Sequence, residues 1–325
     1  MGNICTKKCH KIEKRNISSP IDIKYQSALI NWNSDTPTYK YYWWPILETN
    51  DDIENRDYFN LYSSCGGVEK YDFLFETDAL EYQKRHHRIK KIHNKFEKEC
   101  AGFSRLAAIL SCTYPYPEND VIVTYKFKSY VFRKKDIEAL MIIATQNTVN
   151  KGITVLFGDY NKNELDDINE PYPSYLISML ELISKLDDPF IMDIERDGVI
   201  WNYAFDKILV TEHKFCPIEH SPPSKNGLTK YYNFKIESTA NPEKNLDLWG
   251  YINSTLVPIA GSFHKKMTEG WITKIKPHLI WKPHPKKCLW EGPCEINPHI
   301  DAEIVFRIYK QSFCKNSSIN RLIIL

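Results

Sequence analysis

The chain has 325 residues, of which 42% are hydrophobic and 13% aromatic, so a substantial folded core is expected rather than an intrinsically disordered chain. The formal net charge is only +2 and the basic residues are scattered beyond the N-terminal arm, so the charge does not indicate nucleic-acid binding. No run of about 18 apolar residues occurs and the N-terminus lacks an apolar signal region, which argues against a membrane-spanning helix and a secretory signal.

The N-terminal arm, residues 1–20, begins with MGNICTKKC, which fits the pattern for N-myristoylation. Removal of the initiator methionine would expose Gly2, and Thr6 occupies the position that requires serine or threonine. One myristoyl chain holds a protein on a bilayer only weakly, so a second signal is needed. Palmitoylation of Cys5 and the basic residues of the arm are candidates, since each base adds about 1 kcal/mol near an anionic leaflet. Unless the Met-Gly start is a chance match, the sequence predicts a lipidated arm that tethers a single folded domain (21–325) to the cytoplasmic face of a membrane.

The segments after the arm are read in chain order from their hydrophobic periodicity. Residues 21–76 are aromatic and turn-rich, with the densest aromatic cluster at 41–44. Periodicity then predicts four helices, at 78–100, 102–112, 134–148 and 175–186. It predicts a strand at 121–127. Two further strands, 190–194 and 199–204, flank Asp197-Gly198 and are expected to form a hairpin. Strands and long loops are expected in 207–325. Helices followed by a β-rich half predict an α+β fold.

The nine cysteines predict neither disulfides nor a metal site. Their odd number and irregular spacing do not match a disulfide framework, and a cytoplasmic lipid signal implies reduced thiols. Two cysteines and two histidines near the C-terminus resemble a zinc ligand set at first sight: His284, Cys288, Cys294 and His299. Their C-x₅-C spacing is not that of a zinc finger or ribbon, and the prolines among them favour an extended loop. No metal and no other cofactor is therefore predicted.

Four segments, in chain order, resemble elements of the elicitor-type branch of the transglutaminase-like proteins. They are EKYD at 69–72, CAGFSRLAAIL at 100–110, FIMD and VIWN at 190–193 and 199–202, and PHLIWKP at 277–283 with Asn297-Pro298 beyond it. The second segment is similar to the W-x-G-x-C nucleophile motif of that family and the helix behind it. The resemblance implies a papain-like α+β core in which the nucleophile helix packs on an antiparallel sheet. It also implies acyl transfer from a glutamine side chain to an amine or to water.

Three side chains act together in that chemistry. A thiol at a helix N-terminus has a lowered pKa because of the helix dipole, a histidine accepts its proton, and an aspartate orients the histidine. By the resemblance, Ser104 occupies the nucleophile position, Asp193 the aspartate position, and Cys100 the position of the motif's tryptophan. No histidine occurs between His93 and His213, although the family places one shortly before the aspartate-bearing strand.

These departures predict a catalytically impaired protein, a pseudoenzyme. A serine hydroxyl is far less acidic than a thiol and needs a strong adjacent base, and the loss of one catalytic group already removes most of the rate. Three alternatives remain: recruitment of His213 or His220 as the base, Cys100 as a displaced nucleophile, and Cys112 two turns beyond Ser104 on the same helix face. Cys112 would lie about 12 Å from Ser104 along the helix axis, which favours a core cysteine.

Three functions are consistent with these observations. The first is a non-catalytic, membrane-tethered protein that binds a protein partner in a transglutaminase-like groove. The second is an active acyltransferase or hydrolase, in which Ser104 or a neighbouring cysteine attacks a glutamine-containing protein substrate with help from an unidentified base. The third is a structural or assembly protein at a membrane. The missing histidine favours the first over the second, and no sequence feature separates the first from the third.

Overall fold

The structure of the protein is a computed structural model. It describes residues 27–44, 61, 63, 65–86, 102–149, 153–158, 173–193, 202–214, 229–253, 261–267, 270–273, 279–283, 296–314 and 320–324. Six α-helices occur in these ranges: α1 Gly67–Phe75, α2 Ala79–His86, α3 Ser104–Thr113, α4 Lys134–Val149, α5 Pro173–Leu186 and α6 Ala302–Gln311. The same ranges contain thirteen strands: β1 Ser27–Asn33, β2 Val121–Tyr125, β3 Lys128–Phe132, β4 Ile153–Gly158, β5 Phe190–Asp193, β6 Asn202–Phe205, β7 Lys207–His213, β8 Thr229–Glu237, β9 Leu246–Asn253, β10 Gly261–Met267, β11 Gly270–Thr273, β12 Leu279–Pro283 and β13 Asn320–Ile324.

The described strands form three sheets. A six-stranded antiparallel sheet has the order β1-β7-β8-β9-β10-β11, and a four-stranded antiparallel sheet has the order β4-β12-β5-β6. A three-stranded sheet has the order β13-β2-β3, in which β13 runs parallel to β2 and the β2–β3 pair is an antiparallel hairpin. The protein is therefore α+β, with mainly antiparallel sheets, as the sequence predicts.

One hydrophobic core, the sheet core, lies between helix α5 and the six-stranded sheet. Helix α5 places Leu176, Leu180 and Ile183 on one stripe, and all three side chains are buried. They belong to the same buried cluster as Phe234 and Ile236 of β8. Full burial of a side chain of this size contributes about 1.5–3 kcal/mol, so this stripe is sufficient to hold α5 on the sheet.

A second core, the helical core, surrounds α4. Every residue of α4 from 137 to 146 is buried, which is typical of a helix enclosed by other elements rather than of a surface helix. Helices α1, α3 and α6 and the three-stranded sheet all contribute buried side chains to this core, among them Val68, Leu106, Val305 and Val121.

Strands β5 and β6 separate the two cores. Phe190 pairs with Phe205, and Ile191 pairs with Ala204, in an antiparallel register. Because successive side chains of a strand point to opposite faces, the two phenylalanines join the sheet core while Ile191 and Ala204 join the helical core. All four residues of β5 are buried, as expected for a strand that is covered on both faces.

Several predicted elements are confirmed. The helices predicted at 102–112, 134–148 and 175–186 correspond to α3, α4 and α5, and their ends agree to within two residues. The strands predicted at 190–194 and 199–204 pair antiparallel as β5 and β6, and the intervening turn lies outside the described residues. The helix predicted at 78–100 begins as α2, and its part beyond His86 also lies outside them.

The predicted order of helices followed by a β-rich half is wrong in detail. The region 21–76 contains β1 and α1, and the region after 207 contains α6. The strand predicted at 121–127 ends at Tyr125, in a tight turn that leads into β3. Strand β1 pairs with β7, and β13 pairs with β2, so distant parts of the chain meet in the sheets.

Candidate functional site

A cavity of about 740 Å³ lies between helix α3, the aromatic segment 40–43 and strand β6. Its described lining combines aromatic rings, amides, hydroxyls and three charged side chains. The lining residues are Lys40, Tyr41, Tyr42, Trp43, Ser104, Ala107, Ala108, Ser111, Tyr116, Lys135, Asn202, Tyr203, Ala204, Asn241 and Glu243. The cavity is the candidate site because Ser104, the residue predicted from the resemblance to occupy the nucleophile position, lines it.

Ser104 is the first residue of α3, as predicted. The helix starts here because the preceding backbone is held outside it: the N–H of Phe103 donates to the carbonyl of Trp43 at 2.7 Å, while the carbonyl of Phe103 accepts from Ala107 at 2.9 Å. Gly102 allows this close approach, since a Cβ at this position would lie 2.2 Å from the Trp43 ring. No side-chain cap hydrogen bond is made by Phe103, the residue that precedes the helix. Because Ser104 lines the cavity, the positive end of the helix dipole lies beside it.

Small side chains on α3 leave room for the cavity. Ser104, Ala107, Ala108 and Ser111 all line it and follow the spacing i, i+3, i+4 and i+7, which places them on one face of the helix. Ser111 is only 3% exposed, and its hydroxyl has no hydrogen-bond partner among the described residues. A buried hydroxyl without a partner is costly, so this wall has a polar group that a ligand could satisfy. The stripe is visible in the sequence and is a signal that the motif-based interpretation missed.

Asp193 lies on the sheet that α3 faces. It is buried, at 1% exposure, and stands directly opposite Asn202 in the β5–β6 register. Side chains opposite one another share a face of the sheet, and the alternation places both on the same face as Ile191 and Ala204, which belongs to the helical core together with α3. Asn202 lines the cavity, whereas Asp193 is not among the described lining residues. The structure thus places Ser104 and Asp193 on facing elements, and their catalytic roles stay predictions.

A buried carboxylate organises another part of the cavity wall. Glu138 accepts hydrogen bonds from Lys135 Nζ at 2.6 Å, from the hydroxyl of Tyr116 at 3.1 Å and from the backbone N–H of Tyr42. Lys135 Nζ also lies 5.3 Å and 5.7 Å from the ring centroids of Tyr42 and Tyr116, within range of a cation–π interaction. Burial raises the pKa of Glu138, and the neighbouring Lys135 opposes this shift. The cluster fixes the aromatic segment on α4 and presents an ammonium group to the cavity.

No histidine is among the described residues that line the cavity. His213 lies on β7, where its ring packs 4.8 Å from Trp249 and its Nε2 is 2.7 Å from the hydroxyl of Thr211, and burial lowers its pKa. His86 and His299 both pack against Tyr82 instead. The structure therefore does not bring His213 to the cavity, and His220, the other proposed base, lies outside the described residues.

The alternative nucleophiles gain no support from the geometry. Cys112 is buried in the helical core with Sγ 3.9 Å from the carbonyl of Phe190, and burial raises the pKa of its thiol, as expected for a core cysteine. Cys100 lies outside the described residues, as do His284, Cys288 and Cys294 of the zinc-like set. No cluster of metal-ligating side chains occurs in the part of the chain that the structure describes.

The predicted lipidation sites Gly2 and Cys5 also lie outside the described residues. The described helices include none with the length and hydrophobicity needed to span a bilayer. Comparison of the chain with models of known protein families found no match, and searches of curated proteins and of solved structures found no match either.

Proposed function

We propose that this protein is a membrane-tethered, transglutaminase-like pseudoenzyme that binds a protein partner in the cavity beside Ser104. The observation that carries the proposal is the position of Ser104 at the uncapped start of α3, on the wall of a cavity whose described lining contains no histidine. A serine hydroxyl becomes a nucleophile only when an adjacent base accepts its proton. The described part of the cavity therefore supports a site with a residue at the nucleophile position but no histidine to activate it.

The arrangement of α3 on β5 and β6 supports the transglutaminase-like part of the proposal. A helix that begins at the nucleophile position and packs on an antiparallel strand pair carrying the aspartate is what the resemblance implies. The backbone N–H groups at such a helix start can bind a carbonyl oxygen or another partial negative charge whatever the nucleophile is. Ligand binding can therefore persist where catalysis is lost.

The lining of the cavity suits a segment of a protein. Its volume of about 740 Å³ lies within the range of small-ligand sites, so it has room for one or a few side chains and not for a folded domain. Tyrosine and tryptophan rings provide apolar contact area with polar edges, and Asn202 and Asn241 provide amides that can pair with a peptide or a glutamine side chain. Lys40, Lys135 and Glu243 add charges of both signs.

The proposal is tested by amine incorporation. We expect the purified chain, mixed with a glutamine donor peptide and a fluorescent amine, to label the peptide no faster than its Ser104→Ala variant. Without a base, only a residual acceleration over the uncatalysed reaction in water is expected. In enzymes whose full triad has been removed, this acceleration is about 10³–10⁴-fold. Ser178→Ala, on the exposed side of α5, is the matched control for loss of a helix serine. Turnover by the unaltered chain that disappears in Ser104→Ala and persists in Ser178→Ala would contradict the proposal.

Binding is measured on the same protein with the same peptide by fluorescence polarisation. Ser104→Phe places a large ring at the cavity wall and should weaken binding, whereas Ser178→Phe should not, because Ser178 lies on α5 outside the cavity lining. Equal affinity of the two variants would show that the peptide does not occupy this cavity.

An active acyltransferase or hydrolase is the second candidate. It is favoured by the proximity of Ser104 to the dipole end of α3, since that end can stabilise the oxyanion of an acyl-transfer reaction. The two candidates share the site and differ in the base, so the comparison of the unaltered chain with Ser104→Ala separates them.

A further inference from the structure

The β2–β3 hairpin and its neighbours carry a local concentration of exposed aromatic and aliphatic side chains. Among the residues that the structure describes, ten large hydrophobic side chains are exposed, and five of them lie on the three-stranded sheet or on the adjacent helix α1. These five, here called the hairpin patch, are Phe73, Phe127, Tyr130, Val131 and Ile323. They are grouped around the hairpin and not on one face of the sheet, because Tyr130 and Val131 follow each other on β3 and project to opposite faces. Phe73 and Tyr130 stack with their ring centroids 6.4 Å apart. Half of the large exposed hydrophobic side chains in the described residues thus lie on the three-stranded sheet, its turn and α1.

Phe127 projects from the tip of the hairpin. It lies in the two-residue turn between β2 and β3, and its side chain is fully exposed, at 106% of the reference value. An aromatic side chain at a turn tip makes no contribution to the core, so the hydrophobic effect favours its removal from water by a partner.

The charged residues of the three-stranded sheet and its turn are all basic. They are Lys126 and Lys128, which flank Phe127, and Arg321 on β13. Glu76 of the neighbouring α1 end lies 3.5 Å from Lys126 Nζ and 2.9 Å from Lys128 Nζ, and all three side chains remain about half exposed. Pairs of this kind are weak in water, so both ammonium groups can exchange Glu76 for a stronger anionic partner.

An exposed aromatic ring between two lysines matches an anionic lipid surface. The ring suits the boundary between headgroups and acyl chains, while lysine side chains can bury their stems and keep their charges among the phosphates. We propose that the β2–β3 hairpin is a second membrane contact, in which Phe127 enters the headgroup region of an anionic bilayer and Lys126 and Lys128 bind lipid phosphates. The inference rests on the membrane location in the proposed function, and it adds an orientation to it.

A second contact is needed to orient the protein, because the arm alone does not. Ser27, the start of β1, lies 25 positions after Gly2, and a chain of that length can span at most about 80–90 Å. A lipid on Gly2 therefore does not by itself determine which face of the protein turns toward the bilayer. Insertion of Phe127 turns the tip of the β2–β3 hairpin toward the bilayer.

The test uses the full-length chain produced without myristoylation, so that the arm carries no lipid. Sedimentation with phosphatidylcholine vesicles, with and without phosphatidylserine, measures binding. We expect preference for the vesicles that contain phosphatidylserine, a loss of about tenfold in Phe127→Ala, and a loss on the order of fivefold in Lys126→Ala. Tyr175→Ala removes an exposed aromatic ring from α5 and is the matched control, with binding unchanged.

Insertion is measured separately with Phe127→Trp and Tyr175→Trp. Brominated lipids should quench the added tryptophan at 127, as a difference from the unaltered chain, and leave the one at 175 unaffected. Vesicle binding that is the same in Phe127→Ala and the unaltered chain would overturn the proposal and leave the patch as a surface for an acidic protein. If the unlipidated chain fails to bind vesicles while the myristoylated chain fractionates with membranes, the hairpin contact is wrong and the tether stands.

Discussion

Asn202 is a position at which an added base can be tested. It lines the same cavity as Ser104 and stands opposite Asp193 in the β5–β6 register. The Cβ atoms of directly opposed residues lie about 4.5–5.5 Å apart, so an imidazole at position 202 would reach the carboxylate of Asp193. The unaltered chain presents an amide there, and an amide does not accept a proton from a hydroxyl.

The double substitution Ser104→Cys with Asn202→His is expected to restore amine incorporation. The thiol at the start of α3 would have a lower pKa than the serine hydroxyl, the new histidine would accept its proton, and Asp193 would orient that histidine. Ser104→Cys alone should recover little, because its thiol still lacks a proton acceptor. General-base catalysis typically contributes about 10²–10⁴-fold, and the double variant should exceed the single one by that order in the amine-incorporation assay.

The matched control for this experiment is Ser104→Cys with Tyr175→His. Tyr175 belongs to the segment in which the resemblance leads one to expect the family's histidine, yet it lies half exposed on α5 and is not among the described residues that line the cavity. Comparable activity of the two double variants would mean that proximity to Asp193 does not decide the outcome, and would remove Asn202 from the site.

At the residue scale, the motif led to the predictions for Ser104 and Asp193 but gave no indication of two residues beside the cavity. Ser104 begins a helix that faces the strand of Asp193, as expected from the motif. Lys135 and Glu138 gave no comparable signal, because a lysine and a glutamate three positions apart on a helix usually form a solvated pair. Only the tertiary structure shows that Glu138 is buried against the aromatic segment and that Lys135 faces the cavity.

Among the elements, the segment between β1 and the cavity is anchored by one buried carboxylate. Asp206, at the junction of β6 and β7, accepts hydrogen bonds from the N–H and hydroxyl of Thr38 at 2.6 Å and 3.0 Å, and from the N–H of Thr239 at 3.0 Å. The hydroxyl of Thr38 in turn accepts from the N–H of Ala240 at 3.0 Å. This network joins the chain just before the aromatic segment to the end of β6, the strand that lines the cavity.

Asp206→Asn should destabilise the protein by roughly 2–4 kcal/mol, because hydrogen bonds to a charged group contribute about 1.5–3 kcal/mol each and an amide cannot accept all three. The measurement is the free energy of unfolding in urea, and weaker peptide binding in the cavity should accompany the loss. Asp35→Asn makes the same change of charge at an exposed position and should leave stability within about 0.5 kcal/mol. An Asp206→Asn variant as stable as Asp35→Asn would show that the network does not anchor the segment.

Helices with a buried stripe were predictable, whereas elements defined by distant partners were not. The periodic leucines and isoleucines of α5 indicated that helix directly. Helix α6 carried an adequate signal that was overlooked, since Asp301 caps it through the N–H groups of Glu303 and Ile304, and Val305 and Ile308 form its buried stripe. Strand β13 pairs in parallel with β2 almost two hundred residues earlier in the chain, a contact that no local pattern encodes.

For the molecule as a whole, the cavity lies at the boundary between two cores. The β5–β6 pair contributes side chains to both cores. A substitution in the sheet core that shifts these strands would therefore also shift the part of the cavity wall that β6 forms. The sequence predicted the mixture of helices and antiparallel sheets but not this division, because the assignment of each face of β5 depends on what packs there. A strand that is apolar on both faces is compatible with several arrangements.

The proposed membrane tether concerns the whole chain and is predicted to depend on Gly2. In cells that myristoylate proteins, Gly2→Ala should move most of the protein from the membrane fraction to the soluble fraction, and Cys5→Ser should move part of it, because a single myristoyl chain binds with a constant of only about 10⁴ M⁻¹ and needs a second signal. Asn3→Ala alters the arm without removing the acylated residue and serves as the control. If the hairpin patch also contacts the bilayer, Phe127→Ala should release a further part of the Cys5→Ser variant, since two weak contacts on one chain reinforce each other through their effective concentration. An unaltered chain that is freely soluble in such cells would contradict the tether, whatever the cavity binds.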